Sequence, residues 1–376
     1  MSGEPEQQKH DPTAHEQMMD GEKQVKRNPH GNFKEVERSR PKWNDGNFDF
    51  TQTKNPSWKP GQGANDGGEA LKHGHIEIDP YQEGRPAVFN YKLLISAIIP
   101  RPIGFLSTRS KDGSSTNLAP YSFFQVFNFD PPVFVVGFSG GFEKAKDSLK
   151  NLVDSGECCI NIISEHYIEA ANATSVNAPY GTSEWALTGL TPAPCTDVKA
   201  SRVKEAIFSV EGKLMETKEL ESKATPGKKT GVLAIIEGVR FWAREDAINE
   251  DRNLIDPDVL RPMSRLGGIT YGRLQEGIEL PRPEWSEFEK EAEPAGVVSR
   301  QTCSQAKMCL EKLQFFSIIN CVHDSVYLPV IKGEAMPEQY SSGTSNADRG
   351  SDIIGPHLWH FFFEFVPESS PQFFGL

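Results

Sequence analysis

The chain lacks most of the short motifs that announce a chemistry. It has no GxGxxG after a strand-like run and no GxxxxGK[ST] loop, and the GxSxG match at Gly137–Gly141 has only His166 in the core region to serve it. A Rossmann dinucleotide site, a P-loop and an α/β-hydrolase nucleophile are therefore unsupported. The glycine clusters at 137–141 and 267–272 have neither the strand-to-helix setting nor the acidic partner that a dinucleotide site needs. Histidine is sparse where a base would be wanted. Of nine in the chain, only His166 falls between residues 76 and 290, and it reads as a structural or surface residue, which disfavours a Ser-His-Asp relay. The six cysteines (158, 159, 195, 303, 309 and 321) make no CxxC or Cys/His cluster, so no metal site is expected. They read as free thiols, and the adjacent Cys158 and Cys159 as core residues rather than a redox pair.

Long apolar runs are missing too. None approaches bilayer length, and the opening MSGEPEQQKHDPTAHEQ has no apolar h-region, so a cytoplasmic protein without a membrane span is expected. Positive charge is in short supply, with 40 Lys and Arg against 52 Asp and Glu and a net charge of −12. That balance argues against nucleic acid and anionic membrane as partners, because phosphate binding needs clustered cations.

Aliphatic residues are nearly absent before residue 75, and such a segment buries too little apolar surface to offset its ordering entropy. Residues 1–75 are expected to be a disordered or extended N-terminal arm. The rings Phe33, Trp43, Phe48, Phe50 and Trp58 are spaced so that part of it, residues 33–60, docks on the body. Residues 76–290 carry the folded core, and 291–376 read as a poorly ordered C-terminal extension without amphipathic period. Strand-like segments run over 93–99, 103–108, 117–129, 133–138, 158–163, 207–216 and 231–243. Helices are expected over 143–155, with an Ala145, Leu149, Leu152, Val153 stripe and Gly156 at its stop, and over 165–174. Strands outnumber helices without alternating with them, which predicts a mainly β, antiparallel barrel with a few α-helices.

The most informative stretch is RPIGFLSTRSKDGSSTNLAPYSFF, residues 101–124. An apolar strand and a Lys-Asp-Gly turn lead into a run where Ser115, Thr116, Asn117 and Ser122 stand beside a proline and three aromatics. A purely structural hairpin would alternate apolar and polar residues. This mixture suits a flat, hydrogen-bonding ligand with a charged tail, and a flavin nucleotide fits that description. The opening of the 143–155 helix places Lys146, Asp147 and Ser148 beside unpaired amides and the positive dipole end, where a phosphate monoester would sit. An ordinary solvated helix end is the competing reading. Arg101 and Arg265 add cations next to proline or glycine, with surface salt bridges as the alternative.

Taken together, the segment 101–124, DPPVFVVGFSGG (130–141), KDSLKNLVDSGECCINIIS (146–164), NAPYGTSEW (177–185) and RPMSRLGGITYG (261–272) resemble the flavin reductase-like, FMN-binding split-barrel family. The arm segments SRPKW (39–43) and NPSWKPGQGAN (55–65) resemble its fungal members. The resemblance covers roughly residues 76–285 and implies a six-stranded antiparallel Greek-key barrel and a homodimer with FMN at the subunit interface. It further implies that Ser107 and Thr108 face the flavin. Asn117 through Ser122, with Ala119 and Pro120 between them, would wrap the ring edge and ribityl chain. Lys146, Asp147 and Ser148 would lie at the phosphate or its rim, and Arg101 and Arg265 would join the set, Arg265 late in the fold or across the dimer. The chain departs from the pattern at FFQVFNFDPP, where Phe127 and Phe129 either narrow the pocket or pack in the barrel.

The implied function is an FMN-dependent oxidoreductase that uses NAD(P)H to reduce flavin or another small-molecule acceptor. In such an enzyme the flavin carries the redox chemistry and no dedicated acid or base is required. A non-catalytic FMN-binding or electron-transfer module is the alternative, and an interaction protein with a vestigial barrel is a third.

Overall fold

The computed structural model of the chain describes residues 28–292. The expected C-terminal extension lies, beyond residue 292, outside the described residues, as do residues 1–27. Among the described residues no helix is long and apolar enough to cross a membrane.

The arm opens on a short helix, α1 (Phe33–Arg38). It touches the body through rings and a short parallel pairing of β1 (Asp49–Thr51) with β13 (Glu276–Ile278). The Phe48 N–H donates to Asp258 Oδ1 at 2.9 Å, and the Arg273 guanidinium lies 3.9 Å over the Trp43 ring. Phe33 and Trp58 engage the arm itself, Phe33 beneath Arg40 and Trp58 by donating to Gly63 O.

Seven strands make one antiparallel sheet. They are β2 (Gly104–Arg109), β3 (Thr116–Tyr121), β4 (Phe124–Phe129), β5 (Pro132–Ser139), β6 (Glu157–Ile162), β9 (Phe208–Glu221) and β10 (Lys229–Ala243). Their order in the sheet is β3-β2-β6-β9-β10-β5-β4. Each is rich in the β-branched and aromatic residues that favour a pleated, half-buried surface. The two edge strands, β3 and β4, are separated in sequence by Ser122 and Phe123 alone, and the Gly137 N–H of β5 donates to Phe123 O at 2.7 Å. The sheet therefore curls until one bent segment pairs with β2 at one end and with β5 at the other. The hydrogen-bonded segments of this sheet number seven, where the resemblance implies six.

Alternation along each strand divides the core in two. Leu106, Cys158, Ile160, Val210, Val136, Phe138, Ala234 and Ile236 fill the barrel interior, where Leu149 and Leu152 of α3 (Asp147–Ser155) close one end. On the outer face of β2, β3 and β6, Phe105 and Leu118 pack with Tyr167, Ile168, Ala171 and Trp185. The last three of these come from α4 (Ile168–Ala173) and α5 (Glu184–Thr188). Gly104 is glycine for a reason of space: a Cβ there would lie 2.7 Å from the Phe124 ring.

Two helical expectations are corrected. Residues 93–99, read as a strand, form instead the second half of α2 (Ala87–Ala97) and its exit. Their apolar run has no clear period, and the decisive contact comes from beyond it: Arg101 Nη1 donates to Ile95 O at 2.5 Å and Ile98 O at 2.9 Å. The helix expected over 143–155 starts four residues late. A short 3-10 turn (Phe142–Lys144) is followed by Ala145 and Lys146 with ψ of 134° and 153°, and only at Asp147 does the α-helix begin. Gly156, at φ 74°, ends it as expected.

Candidate functional site

The β2–β3 hairpin is shaped by its turn. The Asp112 carboxylate accepts from Ser110 Oγ, Ser114 N and Ser114 Oγ at 2.7–2.9 Å, and Gly113 adopts φ 78°. Those bonds, the Ser110 hydroxyl first, pull the Asp112 carboxyl down to about 2. Lys111 N–H donates to Asp154 Oδ2, which ties the hairpin tip to α3.

Register then decides which side chains share a wall. Thr108 pairs with Asn117 and Gly104 with Tyr121, so Thr108, Asn117, Ala119 and Tyr121 lie on the barrel-facing side. Ser107 and Pro120 lie on the opposite side with Phe105 and Leu118, under α4 and α5. Ser107 and Thr108, adjacent in sequence, therefore cannot both face one ligand; Thr108 alone shares the face of Asn117. Both are about 1% exposed. Asn117 is buried as well, whereas Ala119, Tyr121 and Ser122 are half-exposed, so the wall opens toward solvent at its Ser122 end.

The first turn of α3 abuts this wall. Ser148 Oγ lies 2.6 Å from the Asn117 amide and also bonds the Tyr121 hydroxyl. The orientation of Asn117 that satisfies both amide ends has Oδ1 accepting from Ser148 Oγ and Nδ2 donating to Glu184 Oε2 at 3.2 Å. Glu184 also accepts from the Leu118 N–H at 3.1 Å. Thr108 Oγ1, the register neighbour of Asn117, is buried with no hydrogen-bond partner. Lys146 and Asp147 stand half-exposed at the rim, where Lys146 is the N-cap residue and makes no side-chain cap bond.

The electrostatics are unusual for a helix start. Burial, reinforced by Asp147, pushes the Glu184 carboxyl up. Burial, with Asp147 and Glu184 adding to it against the Ser148 bond, holds the Tyr121 phenol well above its ordinary value. The segment 177–184 forms a third side: Ser183 Oγ meets Thr116 Oγ1 at 3.1 Å, and Lys150 Nζ lies 3.8 Å over the Tyr180 ring.

The structure thus brings together Thr108, Asn117, Ala119, Lys146, Asp147 and Ser148, with Ser122 at the open end of the same strand. Arg101 and Arg265 form a separate pair, their backbones joined by two hydrogen bonds of 3.0 and 2.9 Å. Arg265 ends β11 (Met263–Arg265), which pairs with β12 (Tyr271–Arg273). Arg101 is committed to the α2 carbonyls, and Arg265 donates to Gly268 O at 2.6 Å while lying 4.2 Å over Tyr271. Arg101 Nε and Arg265 Nη1 are nevertheless buried without partners. Glu184 is the residue that sequence reasoning did not single out. It lies inside one of the quoted motifs, but an acid that docks on β3 from α5 looks in sequence like any solvated glutamate.

Past Ser122 the chain turns strongly apolar and exposed. Phe127 and Phe129 are 76% and 89% exposed, so they do not pack in the barrel of this chain, contrary to one of the two expectations. Phe123 and Val126 beside them are each more than half exposed. β4 is an edge strand whose interior contact is made by Phe124, stacked on Phe134 at 6.0 Å, and its other side chains are left outside.

Comparison with known proteins gives a consistent result. Residues 96–258 match the family model described as a flavin reductase like domain. A protein of Aquifex aeolicus is 36% identical over 183 residues, which is 48% of this chain and 88% of that one. The uncharacterized protein YwrF of Bacillus subtilis is 34% identical over 193 residues, 51% of this chain and 93% of its own length. Among solved structures, nitrilotriacetate monooxygenase component B from Bacillus cereus superposes with a TM-score of 0.51 at 34% identity, covering 55% of this chain and all of that one.

Proposed function

The chain belongs to the flavin reductase-like family, and on that premise we propose that it binds FMN along β3 and the start of α3 and passes electrons from NAD(P)H to flavin or another small-molecule acceptor. The observation that carries this reading is the wall built by Thr108, Asn117 and Ser148. It contains a buried hydroxyl with no partner, Thr108 Oγ1, beside an amide and a second hydroxyl. A buried polar atom left unpaired costs about 1–3 kcal/mol, so such an atom fits a site that a ligand completes. From Asn117 to Ser122 the strand runs about 17 Å at its usual rise, room for a ring at the open end and a phosphate near α3.

In this reading Asn117 and Ser148 orient the ribityl chain, and the first-turn amides of α3 with Lys146 hold the phosphate. Backbone and side chains of 119–122 border the ring. When bound, the flavin supplies the redox chemistry, and the protein supplies binding, orientation and exclusion of water. The domain limits follow the same reading: a barrel over 76–290 with an arm before it.

We further propose that the protein works as a homodimer with the flavin at the interface. The support is the run of exposed Phe123, Val126, Phe127 and Phe129 directly beyond Ser122, since contiguous apolar surface of this kind marks interaction sites. Covering it with a second copy would also cover the open end of the wall.

The test is an absorption spectrum of the purified protein followed by anaerobic titration with NADH and NADPH. Flavin absorbance bleached by either nucleotide supports the oxidoreductase. A protein that neither carries nor takes up FMN refutes the whole reading, and bound FMN that neither nucleotide bleaches favours an electron-transfer module. Replacing Lys146 and Ser148 together by Ala should weaken FMN binding at least tenfold, as expected for losing about 1.4 kcal/mol or more of charge-assisted contact. Sedimentation of Phe127→Ser/Phe129→Ser should show a monomer.

A further inference from the structure

On the other face of β2, away from the Thr108 and Asn117 wall, folding sets two arginines directly opposite each other. Arg101 and Arg265 exchange both backbone hydrogen bonds, at 3.0 and 2.9 Å, so they form a cross-strand pair whose side chains leave the same face. Tyr271 of β12 continues the row as the register partner of Arg265. Ile103 and Met263, each two residues from one of the arginines, pack in the outer core cluster, and Tyr271 packs against it. The row therefore stands on the outer face, not on the barrel-facing side that carries Thr108, Asn117 and Ala119.

Like charges directly opposite each other repel, and a buried cation needs a partner. Neither guanidinium makes an ion pair among the described residues; the acid of the neighbouring chain, Glu165, is held by Arg273 at 2.6 Å and Arg261 at 3.8 Å. The bonds that Arg101 and Arg265 do make go to uncharged carbonyls, those of Ile95 and Ile98 for Arg101 Nη1 and that of Gly268 for Arg265 Nη2. Each keeps one buried donor without a partner, Nε of Arg101, which is 7% exposed, and Nη1 of Arg265. Burial, with the Arg265 charge adding to it and Tyr91 opposing, lowers the Arg101 guanidinium from its ordinary value. A third such nitrogen, Arg202 Nε, is placed differently. Arg202 belongs to β8 (Arg202–Val203), which pairs with β7 (Pro192–Ala193), and it lies 4.4 Å over the Trp242 ring, whose Nε1 donates to the Glu211 carboxylate. That cation sits over a ring that binds an acid, whereas Arg101 and Arg265 face each other.

We propose that Arg101 and Arg265 form an oxyanion site, separate from the flavin wall, that takes the carboxylate or phosphate group of a small molecule. A single anion between them offsets both charges and fills the unused donors. Arginine suits it, because its planar fork meets carboxylate and phosphate through two parallel N–H bonds. A ligand oxygen that replaces Gly268 O on Arg265 Nη2 has the unpaired Nη1 beside it for a second bond. The way in lies over the β11–β12 loop: Arg265 and residues 266–268 are half-exposed, and a Cβ on Gly267 would meet nothing within 4 Å.

The experiment follows thermal unfolding of the full-length protein in sodium chloride and, at matched ionic strength, in sodium phosphate or sodium acetate. Phosphate or acetate should raise the midpoint saturably, by roughly 3–6 °C once the anion exceeds its Kd tenfold. Arg265→Met should lose this gain and keep only the general salt effect that any folded chain shows. Arg265→Lys retains the charge without the fork and should bind the anion at least tenfold more weakly. A gain with phosphate assigns the site to phosphorylated compounds, and NADPH binding tighter than NADH in the parent but not in Arg265→Lys narrows it to a nucleotide 2′-phosphate. A gain with acetate assigns it to organic acids. No gain over chloride with either anion, or parent affinity in either variant, would overturn the proposal. So would a gain that saturating FMN abolishes, because the pair would then hold the flavin's own phosphate. The titrations in chloride, phosphate and acetate need no bound flavin, so they stand whether or not the protein takes up FMN.

Discussion

Replacing Glu211 by Gln should weaken the fold by about 2–4 kcal/mol, a figure that follows from counting donors. The buried carboxylate accepts four hydrogen bonds, two on each oxygen: Thr196 N and Trp242 Nε1 on Oε1, and Asp197 N and Val198 N on Oε2. A glutamine keeps one acceptor oxygen and turns an NH2 toward the other two donors. Two N–H groups are then left facing a donor, at about 1–3 kcal/mol each, and the lower part of that range applies because the Thr196 and Asp197 amides, one on each oxygen, are only partly buried. Against a total stability of about 5–15 kcal/mol the loss is large. Urea unfolding followed by circular dichroism measures it, and the thermal midpoint should fall by roughly 5–15 °C. Acid titration adds a second check. Burial alone would raise the Glu211 carboxyl, but the three amides and the indole outweigh it and the net shift is downward. Its stabilising contribution is therefore complete above the ordinary glutamate value of about 4.3 and is lost as pH falls below it. The variant should lose that part of the acid dependence. A Glu211→Gln variant within about 1 kcal/mol of the parent, with the same acid slope, would refute this role for Glu211.

Gly104→Ala should cost about 1–3 kcal/mol by forcing the Phe124 ring aside, measured by urea unfolding; an unchanged midpoint would show that the barrel yields there. Arg101→Met should free the Ile95 and Ile98 carbonyls, so that amide exchange across Ala87–Ala97 speeds up while that of β9 and β10 does not. Glu184→Gln removes a carboxyl that burial pushes up, whose ionisation opposes folding as pH rises above the ordinary glutamate range. The variant should gain stability relative to the parent as pH rises past the ordinary glutamate value of about 4.3, and a parallel pair of stability curves would argue against the raised carboxyl.

The barrel was largely legible because strand pairing at 104–109, 116–121, 132–139 and 157–162 depends on local apolar and β-branched runs with a Lys-Asp-Gly turn between the first two. The α2 helix was not legible. Its apolar sequence fits strand or helix equally, and Arg101, outside the run, supplies the bonds that cap it. The late start of α3 escaped for a similar reason, since Ala145 and Lys146 suit a helix and it is the turn anchored by Phe142 N–H on Glu219 that extends them.

For the site, the sequence by itself determined the membership: a hydroxyl- and amide-rich hairpin strand and a helix start bearing lysine and serine. Residue type and order encode these directly. Tertiary structure alone decided which members meet. Register and the pleat send Ser107 and Thr108 to opposite faces, and docking of α5 on β3 buries Glu184 against Asn117. Curling of the sheet leaves Phe127 and Phe129 outside, and the Glu211 carboxylate draws the loop at 196–198 onto the sheet. Each outcome depends on contacts between residues distant in the chain, whose free energy exists only once the chain has closed on itself.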